Sequence, residues 1–237
     1  MNDLGQPVGL PVQGWKIPAH PSDEPMEGRF CILESLDPAR HGRDLYDANR
    51  LDKNGLNWAY LPYGPFDEFE AYLGWMKSTC TGADPLFFAI VDKGTGKAAG
   101  VASFMRIDPR AGSIEIGHLN FSPLLQKKPA ATEAIFMMMG RAFEAGYRRC
   151  EWKCNALNAA SRSAAQRFGF SFEGIFRQAN VVKGRNRDTA WYAAMDHEWP
   201  ELSKAFGQWL APSNFDEKGN QLERLSTFTR PLLFRIG

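Results

Sequence analysis

The chain has 237 residues, 44% of them hydrophobic and 13% aromatic, with a formal net charge of +1. That composition supports a substantial core in one large domain or two small ones. It gives no global electrostatic reason to expect nucleic acid or an acidic membrane surface, and no apolar run approaches the ~20 residues of a membrane span. Cys31, Cys80, Cys150 and Cys154 are spaced neither as a disulfide framework nor as zinc ligands. They read as buried reduced thiols, and no metal site is expected. The N-terminus has neither the basic start nor the apolar core of a signal peptide, so the expected location is cytoplasmic.

In chain order, residues 1–28 hold five prolines and several glycines, which suits an extended arm. Arg29–Glu34 reads as the first strand and Pro38–Arg50 as a helix. Asn57–Phe66 is an aromatic, proline-interrupted loop, and apolar spacing from Phe66 to Met76 predicts a second helix. Leu86–Asp92 and Ala98–Ile107 form a strand pair around a glycine-containing turn. A second hairpin turn, Arg106–Gly112, leads into a half-buried strand, Ser113–Ser122. The basic turn Gln126–Ala131 follows, then a helix with apolar residues at Ala134, Ile135, Met138, Met139, Ala142 and Phe143, stopped by Gly146. Cys150–Asn155 is the next strand, and Asn158–Ser161 opens a short helix closing at Phe168–Phe170. Gly174–Lys183 and Thr189–Asp196 read as strands around a basic turn, Gly184–Asp188. Glu198–Leu210 reads as helix, and residues 222–234 fit helix or strand. The expected class is α+β, a mixed, mostly antiparallel sheet covered by helices. A 29–200 domain carries an arm, 1–28, and an extension, 201–237.

The strand–helix–strand unit from Ser113 to Asn155 makes a right-handed crossover. It sets a helix N-terminus beside the strand ends, where backbone N–H groups and Lys127 and Lys128 favour an anion such as a pyrophosphate. An ordinary solvated helix start is the competing account. Arg185 and Arg187 are expected to be solvated in the late turn, or to meet a carboxylate-bearing substrate. The Met137–Met139 run reads as helix packing.

The pattern Gln126-x-x-x-Ala130-Ala131, Asn158-x-x-Ser161, Arg167-Phe-Gly-Phe170, Phe172-Glu-Gly174, Arg177, Asp188 and Glu198-Trp199 resembles the GNAT superfamily of N-acetyltransferases. Within it the pattern is most similar to the ribosomal-protein (RimJ/RimL-like) branch, over residues 29–200. The resemblance implies acetyl-CoA as cosubstrate and one splayed parallel strand pair. It places the pantetheine arm on the backbone of Leu119, Asn120 and Phe121. The phosphates fall at Gln126, Lys127, Lys128, Ala130, Ala131 and Thr132, and the thiol end at Asn158 and Ser161. Pro129 stands where the family has a glycine and lacks an N–H donor, although proline suits the first turn of a helix. Glu115 falls where several members carry a general base, with a surface glutamate as the alternative. His118, expected on the opposite strand face by simple alternation, is the second candidate base or a structural histidine. Ser161 is the candidate donor to the departing thiolate, with helix capping as its plainer role beside Asn158. The tyrosine acid of many members is replaced by Ala165. Trp58, Tyr60, Tyr63 and Phe66 either wall the acceptor cavity or pack in the core.

The expected activity is acetyl transfer to a primary amine, on a small molecule or a peptide N-terminus, by direct attack in a ternary complex. A CoA-binding protein without catalysis and an interaction scaffold are the alternatives. The expected partner is that amine, with neither nucleic acid nor membrane, and a homodimer is left open.

Overall fold

The computed structural model describes residues 1–237. Eight strands form one sheet in the order β1-β2-β3-β4-β5-β6-β8-β7. They are β1 (Met26–Glu27), β2 (Cys31–Ser35), β3 (Leu86–Asp92), β4 (Lys97–Asp108), β5 (Ser113–Phe121), β6 (Arg149–Asn155), β7 (Ser171–Val182) and β8 (Arg185–Met195). Only β5 and β6 pair in parallel, and every other neighbouring pair is antiparallel. The mixed, mostly antiparallel sheet expected from the element order is therefore present.

Side-chain alternation on β3 divides the core in two. Phe88 and Ile90 face a cluster built by α3 (Pro129–Glu144), α4 (Ala159–Arg167), α5 (Trp199–Leu210) and α6 (Leu225–Thr229). Phe87 and Ala89 face a smaller cluster under α1 (Pro38–Asn49) and α2 (Phe69–Thr79). The sheet is thus the middle of three layers. No helix is long and apolar enough to cross a membrane.

Local chemistry sets the element ends. Asp37 Oδ1 caps α1 by accepting from Ala39 N–H at 2.8 Å, and Pro38 takes the first helical position. Pro129 does the same for α3, which ends where Gly146 adopts φ +96°. One turn into α3, Glu133 is buried. Its carboxylate accepts from Arg29, Phe30 and Cys31 N–H at 2.7, 2.7 and 2.9 Å. Those bonds fix the start of α3 to the start of β2, and Gly28 leaves the space, since a Cβ there would lie 2.3 Å from Glu133 Cδ.

Three boundaries depart from the sequence reading. The β7–β8 turn is only Lys183–Gly184, both left-handed at φ 50° and 72°, as a two-residue hairpin loop of paired left-handed residues requires. Arg185 and Arg187 therefore lie in β8 and not in a turn; Arg185 is solvated as expected, whereas Arg187 is half-buried. The first 28 residues end in a short strand, with Met26 and Glu27 paired to Leu33 and Ile32. Residues 222–234 resolve into the five-residue α6 and a following 3-10 turn at Arg230–Leu232.

Both flanks are tied to the sheet domain. Tyr147 Oη donates to Ala19 O at 3.1 Å, and Arg141 Nη1 donates to Ser22 O at 3.0 Å and also to Glu24 O. At the other end Phe172 N–H donates to Arg235 O at 3.0 Å.

Candidate active site

Parallel pairing of β5 with β6 lasts for three residues, Ser113–Glu115 against Arg149–Glu151. Beyond Glu115 the strands part, and a cavity of about 460 Å3 fills the gap. Gly117, His118 and Leu119 line one wall and Trp152, Lys153 and Cys154 the other. The β7–β8 hairpin closes over it: Lys183 Nζ donates to Trp58 O and Gly64 O in the aromatic loop at 2.9 and 2.8 Å.

His118 does not lie on the face opposite Glu115. Ser103 pairs with Gly117 but Val101 pairs with Asn120, so β5 carries one extra residue there, and His118 adopts φ +49°. A bulge interrupts the two-residue alternation, and both side chains line the cavity. Tyr63 Oη lies 3.1 Å from His118 Nδ1, and the Tyr63 and Phe87 rings pack on the imidazole at centroid distances of 5.6 and 5.0 Å. Burial, with a smaller contribution from Arg106, lowers the His118 pKa to about 4. The imidazole is neutral at physiological pH.

Glu115 is 3% exposed and lies in a row of alternating charges. Its Oε2 accepts from Arg106 at 2.7 Å and Lys153 at 3.0 Å, while Oε1 has no protein donor. Lys153 also meets Glu151 at 2.6 Å, and Arg149 joins Glu151, at 2.6 Å, to Glu173. Burial alone raises the Glu151 pKa, but hydrogen bonds from Lys153 and Arg149 outweigh it and hold the carboxyl below its usual value. Arg149, Glu151 and Lys153 share one face of β6 because they are two residues apart. That spacing was a legible signal for a charged strand face, of which Lys153 reaches the cavity, and the sequence reading passed over it. Arg106 falls where the expected strand Ala98–Ile107 and the expected turn Arg106–Gly112 overlap, so its side chain could not be assigned to the cavity from sequence. It lies in β4, turned by φ +47°.

Asn158 caps α4, its Oδ1 accepting from Ser161 N–H at 3.1 Å. Ser161 Oγ accepts from Trp152 Nε1 at 3.0 Å, which leaves the hydroxyl hydrogen free to point elsewhere. Both residues line the cavity, whereas Ala165 is buried in the core. Of the four aromatic candidates only Tyr60 lines the cavity. Trp58 and Phe66 pack edge to face in the second core, and Tyr63 lies against His118. Asn120 is buried, and Phe121 O already accepts from Asn57 Nδ2 at 3.1 Å and Gln126 Nε2 at 2.9 Å.

A second cavity, about 680 Å3, lies at the N-terminus of α3. Lys127, Lys128, Arg167 and Arg224 line it, with no carboxylate among the lining residues. Lys127 takes φ +61°, and the N–H groups of Lys127 and Ala130 donate to no protein acceptor. Arg167 Nη1 donates to Thr132 Oγ1 at 3.1 Å, and burial lowers the guanidinium pKa to about 10. Ala131 N–H is turned inward to Lys128 O, 3.2 Å. The α4 helix joins the two cavities, with Asn158 at one and Arg167 at the other, about 13 Å apart along its axis. Arg167 and Arg224 were not singled out for the phosphate end; Arg224 belongs to the extension, outside the matched motifs.

The acetyltransferase (GNAT) domain profile matches residues 37–171, more than half of the chain. The chain belongs to the GNAT acetyltransferase family. A GCN5-related N-acetyltransferase from Brucella melitensis is 45% identical, with a TM-score of 0.90 over 92% of this chain and 100% of that one. A probable GNAT-family acetyltransferase from Chromobacterium violaceum is 41% identical, with a TM-score of 0.77 over 82% of this chain and 98% of that one. A RimL ribosomal L7/L12 alpha-N-protein acetyltransferase, at 22% identity and a TM-score of 0.60 over 73% of this chain and 94% of that one, shares the fold. No protein of curated function matches the sequence. Membership in the GNAT family makes this chain an acetyltransferase, and acetyl-CoA-dependent transfer follows as the family's reaction.

Proposed function

We propose that this GNAT acetyltransferase moves the acetyl group of acetyl-CoA to a primary amine inside the β5–β6 gap, by direct attack in a ternary complex. The observation that carries this is the pairing of an open strand edge with a carboxylate, a neutral histidine and a free hydroxyl around one cavity. The phosphates belong with the free N–H groups of Lys127 and Ala130 and with Lys127, Lys128, Arg167 and Arg224. That cavity has four cations and no acid, a donor set fitted to a polyanion. The pantetheine arm belongs along β5 past Glu115, which puts the thioester, the source of the acetyl group, near Ser161.

An ammonium has no lone pair, so the amine must lose a proton before attack. Glu115 is the acceptor in this reading, through its unbonded Oε1, and the row Lys153–Glu151–Arg149–Glu173 spreads the charge change towards the surface. His118, neutral and held by Tyr63, positions the amine. Ser161, oriented by Trp152, donates to the departing thiolate. The acceptor is a small amine, or a peptide N-terminus as in the ribosomal-protein branch that the motifs resemble.

Glu115→Gln tests the assignment. It keeps the side chain's shape and removes its ability to take a proton. Turnover should fall by about a hundredfold with acetyl-CoA affinity unchanged, and higher pH should restore part of it, because more amine arrives neutral. Full activity in Glu115→Gln, with loss in His118→Gln, would move the base to the histidine.

A further inference from the structure

Arg187, Thr189 and Trp191 are spaced two apart on β8 and therefore share a face. All three line the β5–β6 cavity. Six buried side-chain atoms in the protein lack a hydrogen-bond partner, and three of them are Arg187 Nε, Thr189 Oγ1 and Trp191 Nε1. Each such orphan costs about 1–3 kcal/mol, so three on one face of one strand call for a common partner. Guanidinium and indole nitrogens only donate, and a hydroxyl can. The partner must be an acceptor.

Charge narrows the choice. The cavity is lined by three cations, Arg106, Lys153 and Arg187, and by one carboxylate, Glu115. Glu115 occupies Arg106 and Lys153, while Arg187 pairs with no carboxylate. One positive charge is therefore left over beside two further donors. The position is adjacent to the chemistry: Trp191 pairs in register with Lys153, whose Nζ lies 3.8 Å from the Trp191 ring centre and 3.0 Å from Glu115.

We infer that the acceptor amine is a small amino acid, whose carboxylate is held by Arg187, Thr189 and Trp191 while its amine faces Glu115. This rests on the acetyl-transfer reading and names its substrate class. A cavity of about 460 Å3 is in the range of small-molecule sites.

The test is a panel of primary amines in matched pairs: glycine, β-alanine and γ-aminobutyrate, each against its amide, with aminomethylphosphonate and a peptide of blocked C-terminus. Rates with acetyl-CoA are referred to the neutral amine. The best carboxylate should exceed its amide at least tenfold in kcat/KM, chiefly through KM. Arg187→Met should bring that ratio close to one, and Arg187→Lys should restore part of it. A ratio near one in the wild-type enzyme, a preference untouched by Arg187→Met, or a better phosphonate or blocked peptide would overturn the inference. If no amine is acetylated, the transfer reading fails, and binding still decides the anion site. Titrated in the presence of CoA, γ-aminobutyrate should bind at least tenfold more tightly than its amide, and equal or absent binding of the two overturns it.

Discussion

His118 shows how much one backbone angle changes at the residue scale. Strict alternation assigns it to the face opposite Glu115, and nothing in the letters Gly-His-Leu-Asn announces the bulge that brings it back, because a histidine and not a glycine takes the left-handed angle. The charged residues of β6 were legible by their spacing, but Arg106 needed the coordinates for a similar reason. The buried imidazole has a consequence for acid stability. Its pKa falls from 6.5 in the free side chain to about 4 in the folded protein, so between those values the unfolded chain binds more protons. Stability must drop as pH falls through that window, by up to about 3 kcal/mol from this group. His118→Gln removes the linkage. Urea unfolding at pH 7 and pH 4 should show wild type losing on the order of 2–3 kcal/mol more than the variant; parallel losses would mean that His118 titrates normally.

Among the elements, α3 carries the most. Its apolar face, its proline start and its glycine stop were all readable from periodicity and capping rules. Glu133 was not: a glutamate near a helix start reads as an exposed dipole partner, whereas here it is buried and takes three backbone N–H groups from the start of β2. Glu133→Gln puts an amide donor among those donors. It should lower the unfolding free energy by about 3 kcal/mol, the scale of lost charge-assisted hydrogen bonds, and a loss under 0.5 kcal/mol in urea titration would show that the contact matters little. The β7–β8 hairpin illustrates the opposite case. Its existence was legible, but its turn was placed too late because Lys183 occupies a left-handed position usually given to asparagine or glycine. That misplacement left Arg187 either solvated or facing a carboxylate-bearing substrate, and concealed the row it forms with Thr189 and Trp191.

At the level of the whole molecule, element order carried the mixed, mostly antiparallel sheet, while the single splayed parallel pair came from the family resemblance. The extension was opaque because a five-residue helix is too short to show a period. Yet that segment brings Arg224 to the cavity at the start of α3 that Lys127 and Lys128 also line. On the proposed placement of the CoA phosphates, two contributions to cosubstrate affinity can be separated there. Arg224 is exposed, so Arg224→Ala should weaken CoA binding by about 0.5–1 kcal/mol at low ionic strength and by almost nothing in concentrated salt. Arg167 is more shielded, and Arg167→Met should cost about 1.5–3 kcal/mol and keep most of that loss in salt. Titration calorimetry at two ionic strengths distinguishes them, and equal salt sensitivity in both variants would contradict the cavity's division into shielded and exposed cations.

The three-residue seam between β5 and β6 also bears on where the sheet leaves its backbone groups unpaired. An unpaired strand edge is a template for other chains, and sheets usually end in charge, proline or a bulge to blunt it. Here the bare edge is internal, walled by β6, by α4 and by the hairpin that Lys183 fastens down. A second sheet cannot enter such a slot, but a single thread one strand wide can. The gap thus hides unpaired backbone groups from other chains and keeps them for a guest narrow enough to enter it.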